Sequence, residues 1–290
     1  MISSKTRLAA IIGSPVAQSL SPVIHNAVFE AKNLDWLYVA FLVNSSRVRD
    51  ALSAMSALGI GGFSVTMPHK NEVAKIVGEI GEVDEIVKIT KSANTVVLRA
   101  DNSLWATNTD GDGCCNALEE AMQSTVKGEC VVILGAGGTA SAVAYVLAQR
   151  GASEVVIINR SVDRAQDLAK QIGGVVRVAN STNIAREISS AKIIINTTPV
   201  GFGDIGENAK TPIDISLIRS SHVVLDAVYN PLQTGLIVAA TNAGAVVVDG
   251  LSMLVHQAVL QQQHWTSERY KSTDIALMRD AALSHLASIR

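Results

Sequence analysis

Five short apolar runs in the second half of the chain constrain its fold more than any other feature. They are Val131-Val132-Ile133-Leu134, Val155-Val156-Ile157-Ile158, Ile193-Ile194-Ile195, Val223-Val224-Leu225 and Val246-Val247-Val248. Each is rich in β-branched residues, so each reads as a strand. None alternates apolar with polar residues, as a strand with one wet face would. A continuous apolar run needs cover on both faces, which a parallel sheet flanked by helices supplies. Between the first two runs, Thr139 to Arg150 carries a helical pattern that stops at Gly151, as a crossover helix should. The expected class is therefore α/β.

The first half opens differently. Leu8-Ala9-Ala10-Ile11-Ile12 reads as a strand, and Gly13-Ser14-Pro15 turns the chain. Ser21-Pro22 marks a helix start, with Ser21 as N-cap and Pro22 at the first helical position. Val23, Ile24, Ala27, Val28 and Ala31 follow at helical spacing, and Ile275, Met278, Ala282, Leu286 and Ile289 form a similar stripe near the end. At 290 residues, with 48% hydrophobic and 17% charged, there is material for two domains with their own cores. The expected division is an N-terminal α/β domain over residues 1–110, completed by the helices of 250–290, and a dinucleotide-binding domain over 111–249.

Several function classes are set aside by bulk properties. A formal net charge of −2 argues against a general affinity for nucleic acid or anionic membrane. No apolar run reaches the ~20 residues of a membrane span, and Met1 to Lys5 lack the apolar region of a signal peptide. Cys114, Cys115 and Cys130 are odd in number and fit neither a disulfide framework nor a zinc spacing. They read as buried small apolar residues, and the cytoplasm is the expected compartment. His256, His264 and His285 share no metal spacing, so no metal is expected. His25 suits packing on a helix face.

Gly135-Ala136-Gly137-Gly138-Thr139-Ala140 follows a strongly apolar strand and opens a helix. Glycines there let the backbone turn tightly and approach a pyrophosphate at the helix N-terminus. The second strand then ends in Asn159-Arg160-Ser161, with Arg164 one helical turn further on. An acid at this point would bind the ribose 2′-hydroxyl of NAD, whereas guanidinium groups attract a 2′-phosphate. NADP is expected over NAD.

Two further segments carry chemistry. Gly62-Phe63-Ser64-Val65-Thr66-Met67-Pro68-His69-Lys70 places a lysine just past a strand and a proline-marked turn. Asn108-Thr109-Asp110-Gly111 offers a carboxylate on another loop. A lysine and an aspartate ahead of a dinucleotide-type loop point to proton transfer coupled to hydride transfer. An ordinary lysine titrates near ~10.4; burial lowers such a value and a carboxylate neighbour opposes the shift. The sequence carries both influences.

Together these segments resemble the shikimate dehydrogenase family. The resemblance is carried by Gly13 to Asn26, Phe63 to Lys70, Asn94-Thr95, Asn108 to Gly111, Asn159 to Ser161, Asp226-Ala227-Val228-Tyr229-Asn230-Pro231 and Asp249 to Ala258, in order over nearly the whole chain. It implies a Rossmann-type NADP-binding domain and Lys70 with Asp110 as the catalytic pair. It also implies that Ser19 and Ser21 bind a substrate carboxylate, and that Thr66, Asn94 and Gln257 bind ring hydroxyls. Tyr229 would lie near substrate and nicotinamide. The cofactor residues would be Gly135, Ala136, Gly137, Gly138, Thr139, Asn159, Arg160, Ser161, Arg164, Ala227 and Gly250. The implied partner is a small cyclic hydroxy-carboxylate, with the protein a monomer or homodimer.

The implied reaction interconverts shikimate and 3-dehydroshikimate, a step of aromatic amino acid biosynthesis. Quinate or quinate/shikimate dehydrogenation in catabolism, and a catalytically weak NADP-binding paralogue, are the alternatives. The chain also departs from the family pattern. Ser64 stands where the family usually has Asn, Lys91-Ser92 replaces Gly-Ala, and Gly235 replaces a common proline. Gln262 replaces an aromatic residue, Ser267 replaces a glycine, and Ala227 replaces a larger apolar residue. None removes a proposed catalytic group, and together they suggest a divergent paralogue.

Overall fold

The computed structural model describes residues 2–179, 182–204 and 209–288. The chain divides into two compact units, one of residues 1–109 with 257–290, the other of residues 110–256. The first contains β1 (Arg7–Gly13), α1 (Ser21–Ala31), β2 (Trp36–Leu42), α2 (Val48–Leu58), β3 (Ile60–Val65), α3 (Lys70–Ile80), β4 (Glu82–Val83), α4 (Glu85–Thr90), β5 (Thr95–Leu98) and β6 (Leu104–Thr107). The second contains α5 (Asp110–Met122), β7 (Cys130–Leu134), α6 (Gly138–Gln149), β8 (Glu154–Ile158), α7 (Val162–Ile172), β9 (Val176–Val178), α8 (Ile184–Ser190), β10 (Ile193–Asn196), β11 (Val223–Asp226), α9 (Gly235–Asn242) and β12 (Val246–Val248). Helix α10 (Gly250–Thr266) begins in the second unit and ends in the first, where α11 (Ser272–Ser288) follows.

In the first unit a six-stranded sheet runs β2-β1-β3-β5-β6-β4. β1 is parallel to β2 and β3, while β5 is antiparallel to β3 and β6. The reversal has a local cause: the short link from β5 to β6 closes as a hairpin, with Arg99 N–H donating to Ser103 O at 2.9 Å, and cannot hold a crossover. Trp265 of α10 lies against β3 at Gly62, where a Cβ would meet its indole at 2.3 Å. Its Nε1 donates to Val96 O at 3.1 Å. A bare glycine on β3 thus lets the end of α10 dock on the sheet. α11 packs along α1, with Lys32 and Asp274 paired at 3.3 Å. Of its apolar stripe, Met278 and Ala282 are buried, Ile275 and Leu286 are half-buried, and Ile289 lies outside the described residues.

Ser21 is not the N-cap of α1. It is the first helical residue and Leu20 precedes it, with no side-chain cap. Its hydroxyl is drawn inward toward Tyr38, and its own N–H donates to Ser19 Oγ at 3.2 Å.

The second unit holds an all-parallel sheet in the order β12-β11-β10-β7-β8-β9. Val132, Leu134, Val156, Ile194 and Val224, at period two, share a core with Ile188, Leu236 and Ala240. The intervening Val131, Ile133, Val155, Ile157 and Ile195 are equally buried, so both faces are covered, as the continuous runs require. β12 departs from this because it is an edge strand, and its Val246 is 41% exposed. The sequence did not announce β9, a three-residue edge strand. Its Arg177 pairs with Glu154 and Glu187, each at 2.7 Å. Cys114 and Cys115 are buried, but Cys130 is only partly so. It opens β7 at the rim of the sheet, 3.7 Å from Glu154, which corrects the expectation of three buried thiols. Among the described residues no cluster suits a metal ion, and no helix is long and apolar enough to cross a membrane.

His25 is fully buried and stacks on Tyr38 with ring centroids 4.3 Å apart. Neither ring nitrogen makes a hydrogen bond of ordinary geometry among the described residues. Burial, offset in part by the nearby Gln261 amide, lowers its pKa from 6.5 to about 3. Between those values the unfolded chain binds a proton that the folded chain refuses, so stability falls as pH drops through this window. Denaturant unfolding at pH 7 and pH 5 should therefore cost the wild type about 2 kcal/mol more than His25→Phe over that interval, from ~1.4 kcal/mol per pH unit. Equal losses in both proteins would show that His25 is protonated when folded.

Candidate active site

In the first unit the turns that carry the proposed substrate residues leave the sheet at the carboxyl ends of two interior strands, β1 and β3. β1 and β3 are parallel, with Ile12 opposite Val65, so the chain leaves both strands on the same side. Thr66 N–H donates to Ile12 O and Ser14 N–H to Met67 O, both at 3.0 Å. A Cβ on Gly13 would meet Thr66 Cγ2 at 2.3 Å, so only glycine allows the two turns to approach this closely. His69, buried in the turn, is held through Nε2 at 2.6 Å from Val43 O. Lys70 then opens α3 and is half-buried. Its carbonyl accepts from Ala93 N–H at 3.0 Å, and Asn94 O accepts from Val65 N–H at 2.7 Å, which brings Asn94 to the end of β3.

Asn94 is the hub of a buried polar network. Its Oδ1 accepts from Thr109 N–H at 2.8 Å and Thr95 Oγ1 at 2.7 Å. Its Nδ2 donates to Thr109 Oγ1 at 3.0 Å and Gln257 Oε1 at 3.2 Å. Gln261, one turn beyond Gln257, donates Nε2 to Asn94 O and Thr95 Oγ1, both at 3.0 Å. It accepts from Ser64 Oγ at 2.7 Å, and Ser64 accepts from Tyr38 OH at 2.7 Å. Burial raises Tyr38 far above the ordinary phenol value, which makes it a permanent neutral donor. Neutral donors and acceptors in dry surroundings suit neutral hydroxyl groups. Ser19, Ser21, Thr66, Lys70, Asn94 and Gln257 all belong to this unit.

Tyr38, Ser64, Thr95, Thr109 and Gln261 were not among the expected site residues. Gln261 had a signal, since it stands four residues after Gln257 on one helix face. Tyr38 had none, because it sits in an apolar strand.

Asp110, Tyr229 and the cofactor residues belong to the second unit. β7 is first in the chain but central in the sheet, with β10 on one side and β8 on the other. The loop after it is therefore at the switch point where open α/β sheets bind ligands. Gly135 has φ +115, and a Cβ there would meet Thr197 Oγ1 at 2.6 Å. Gly137 caps α6 in extended conformation, and a Cβ on it would meet nothing within 4 Å. That open space before a helix N-terminus fits a pyrophosphate, whose charge the first-turn N–H groups favour. At the end of β8, Asn159 Nδ2 donates to Ser161 O at 2.9 Å, and Ser161 Oγ accepts from Arg164 N–H at 3.4 Å. Arg160 and Arg164 are exposed cations there, which suits a 2′-phosphate.

The loop of Ala227 and Tyr229 is anchored by Asp226, fully buried. Its carboxylate accepts from Thr234 Oγ1 at 2.6 Å, Asn196 Nδ2 at 2.8 Å and Val228 N–H at 3.1 Å. Gly250 packs so near this loop that a Cβ would lie 2.5 Å from Val228 O. Asp110 opens α5 and is 5% exposed; its Oδ2 accepts from Thr139 Oγ1 at 3.0 Å.

Fold and site define a two-unit α/β protein with a dinucleotide-type glycine loop. Residues 11–96 match the shikimate dehydrogenase substrate binding domain and residues 117–201 match shikimate / quinate 5-dehydrogenase. A shikimate dehydrogenase (NADP(+)) from Methanopyrus kandleri is 37% identical over 291 residues, covering 98% of each chain. A crystal structure of shikimate dehydrogenase in complex with NADP+ superposes with a TM-score of 0.88 at 34% identity, covering 98% of this chain and 97% of that one. Quinate dehydrogenase from Corynebacterium glutamicum in complex with NAD gives 0.85 at 29% identity, covering 96% and 99%. The chain belongs to the shikimate dehydrogenase family, and with it to the oxidoreductases.

Where α5 meets α6, a Cβ on Gly111 would lie 2.4 Å from Ala142 O. Backbone cannot yield as a flexible side chain can, so Gly111→Ala should destabilise the protein by about 1–3 kcal/mol. Denaturant titration checks this; an unchanged midpoint would show that the two helices separate freely.

Proposed function

We propose that the protein is an NADP-dependent dehydrogenase that interconverts shikimate and 3-dehydroshikimate. The observation that carries this reading is the neutral network around Asn94, set at the end of β3 from which the turn bearing Lys70 departs. A polyhydroxylated ring carries hydroxyl groups that such a network can match one by one. Family membership narrows the substrate class, and Asn159, Arg160, Ser161 and Arg164 favour the phosphorylated cofactor. Held at the glycine loop of Gly135, Gly137 and Gly138, NADP would supply the hydride acceptor.

The chain's own residues do the rest. Oxidising a secondary alcohol requires the hydroxyl proton to leave as the hydride departs, and Lys70 receives that proton. In the reverse direction Lys70 returns it to the carbonyl oxygen. Asp110 is the second catalytic group. Ser19 and Ser21 bind the carboxylate, and Thr66, Asn94, Tyr229 and Gln257 orient the ring. Because both polar atoms of the Asn94 side chain already have partners within its unit, a ring hydroxyl joins it by replacing a partner rather than by filling an empty valence.

Quinate turnover is the alternative, drawn from the likeness to quinate dehydrogenase. The arginines at the end of β8 weigh against it insofar as that activity uses NAD. Assays of NADPH and NADH formation, with shikimate and quinate in parallel, separate the readings. Shikimate with NADP should be the best pair, and Lys70→Ala should lower kcat by about 10²–10⁴-fold with KM little changed. Arg160→Ala should weaken NADP about tenfold relative to NAD, the loss expected for one charge-assisted hydrogen bond. Turnover of quinate alone would move the protein to the other class. Silence on both substrates, with NADP still bound, would mark a paralogue that binds cofactor without this chemistry.

A further inference from the structure

The Thr139 hydroxyl donates to Asp110 Oδ2 at 3.0 Å. Thr139 is the second residue of α6 and Asp110 the first residue of α5, and the two helices pack along one another. They approach closely because residue 111 has no side chain. Asp110 is buried, and a buried carboxylate needs fixed donors. A β-branched residue in a helix has few side-chain rotamers, so the direction of its hydroxyl is largely set by the helix itself. Thr139 also follows directly on the glycine loop proposed to hold the dinucleotide.

We propose that Thr139 is a positioning residue whose hydroxyl holds the Asp110 carboxylate, so that the dinucleotide loop and the catalytic carboxylate are set as one piece. The inference rests on the catalytic reading of Asp110. It divides the work of Thr139 between two groups. The backbone serves the cofactor, as for its glycine neighbours, and the side chain serves Asp110. A loop drawn into register by the cofactor then carries the carboxylate with it. Removing the hydroxyl should slow the reaction at saturating cofactor without weakening cofactor binding, a split that an ordinary cofactor ligand would not give.

The test is a double-mutant cycle with Thr139→Val, Thr139→Ser, Asp110→Ala and Thr139→Val/Asp110→Ala, read by steady-state kinetics and by calorimetric titration of NADP in the absence of substrate. Thr139→Val should lower kcat about 10- to 100-fold while the Kd for NADP stays within about threefold, the signature of a group that serves the chemical step and not cofactor binding. Thr139→Ser keeps the hydroxyl and should recover kcat to within about threefold of wild type. In the Asp110→Ala background the valine substitution should change kcat less than about twofold, because coupled groups are not additive.

Multiplicative losses in the double variant would overturn the inference, as would a serine variant no better than valine. A valine variant with lost NADP affinity and full kcat at saturation would assign the hydroxyl to the cofactor instead. An Asp110→Ala variant with undiminished kcat would overturn the catalytic reading of Asp110, and this inference with it. The other adverse outcomes leave that reading standing.

Discussion

A single buried carboxamide holds the proposed substrate end of the first unit together. Asn94 ties Thr109 beyond β6, Thr95 at the head of β5 and Gln257 on α10 through its side chain. Its backbone carbonyl accepts from Val65 at the end of β3 and from Gln261. Elements far apart in sequence therefore meet at one point, and each polar atom there is paired. Buried polar groups left without partners cost about 1–3 kcal/mol each, so the network favours one arrangement over its neighbours. Ser64 extends it to Tyr38, at a position where the family usually places Asn. The shorter side chain still makes both bonds, and the network closes around the change.

The second unit relies on a different constraint, the close approach of backbones. Gly111 against α6, Gly135 against Thr197 and Gly250 against Val228 each occupy a place where a Cβ would come within 2.6 Å of another atom. These contacts draw α5, the glycine loop and the start of α10 toward the end of the sheet where its strand order reverses. Buried carboxylates then lock the loops that result. Asp226 anchors the segment of Ala227 and Tyr229, and Asp110 meets Thr139. Desolvation pushes Asp226 above the usual carboxylate range, while its three donors pull the other way. Glycines bring the elements close, and hydrogen bonds to charge decide how their loops lie.

Much of this was legible before any coordinates. Continuous apolar runs at Val131, Val155 and Ile193, alternating with a helical pattern, pointed to a parallel sheet covered on both faces, because each run needs cover on both sides. The glycine loop was legible from its context, a strand before and a helix after. Other features were not. Ser21 looked like a helix cap, yet it is the first residue of α1 and its hydroxyl lies toward Tyr38. Tyr38 itself was hidden in an apolar strand, since nothing in Trp36 to Leu42 says which side chain will meet a serine from β3. β9 was too short to show a period, and the partial exposure of Cys130 follows from its place at the rim.

The sequence alone determined the class of fold, the family and the chemical types available, because periodicity and motif order are properties of the chain taken one segment at a time. Only the tertiary structure decided which polar groups satisfy one another. Gln261 to Ser64, Asn94 to Gln257 and Thr139 to Asp110 are pairings across 29 to 197 residues of chain. They depend on strand register, on the crossing of helices and on glycines that let backbones touch. A hydrogen bond is fixed to within tenths of an ångström, and no local pattern carries that precision across such separations.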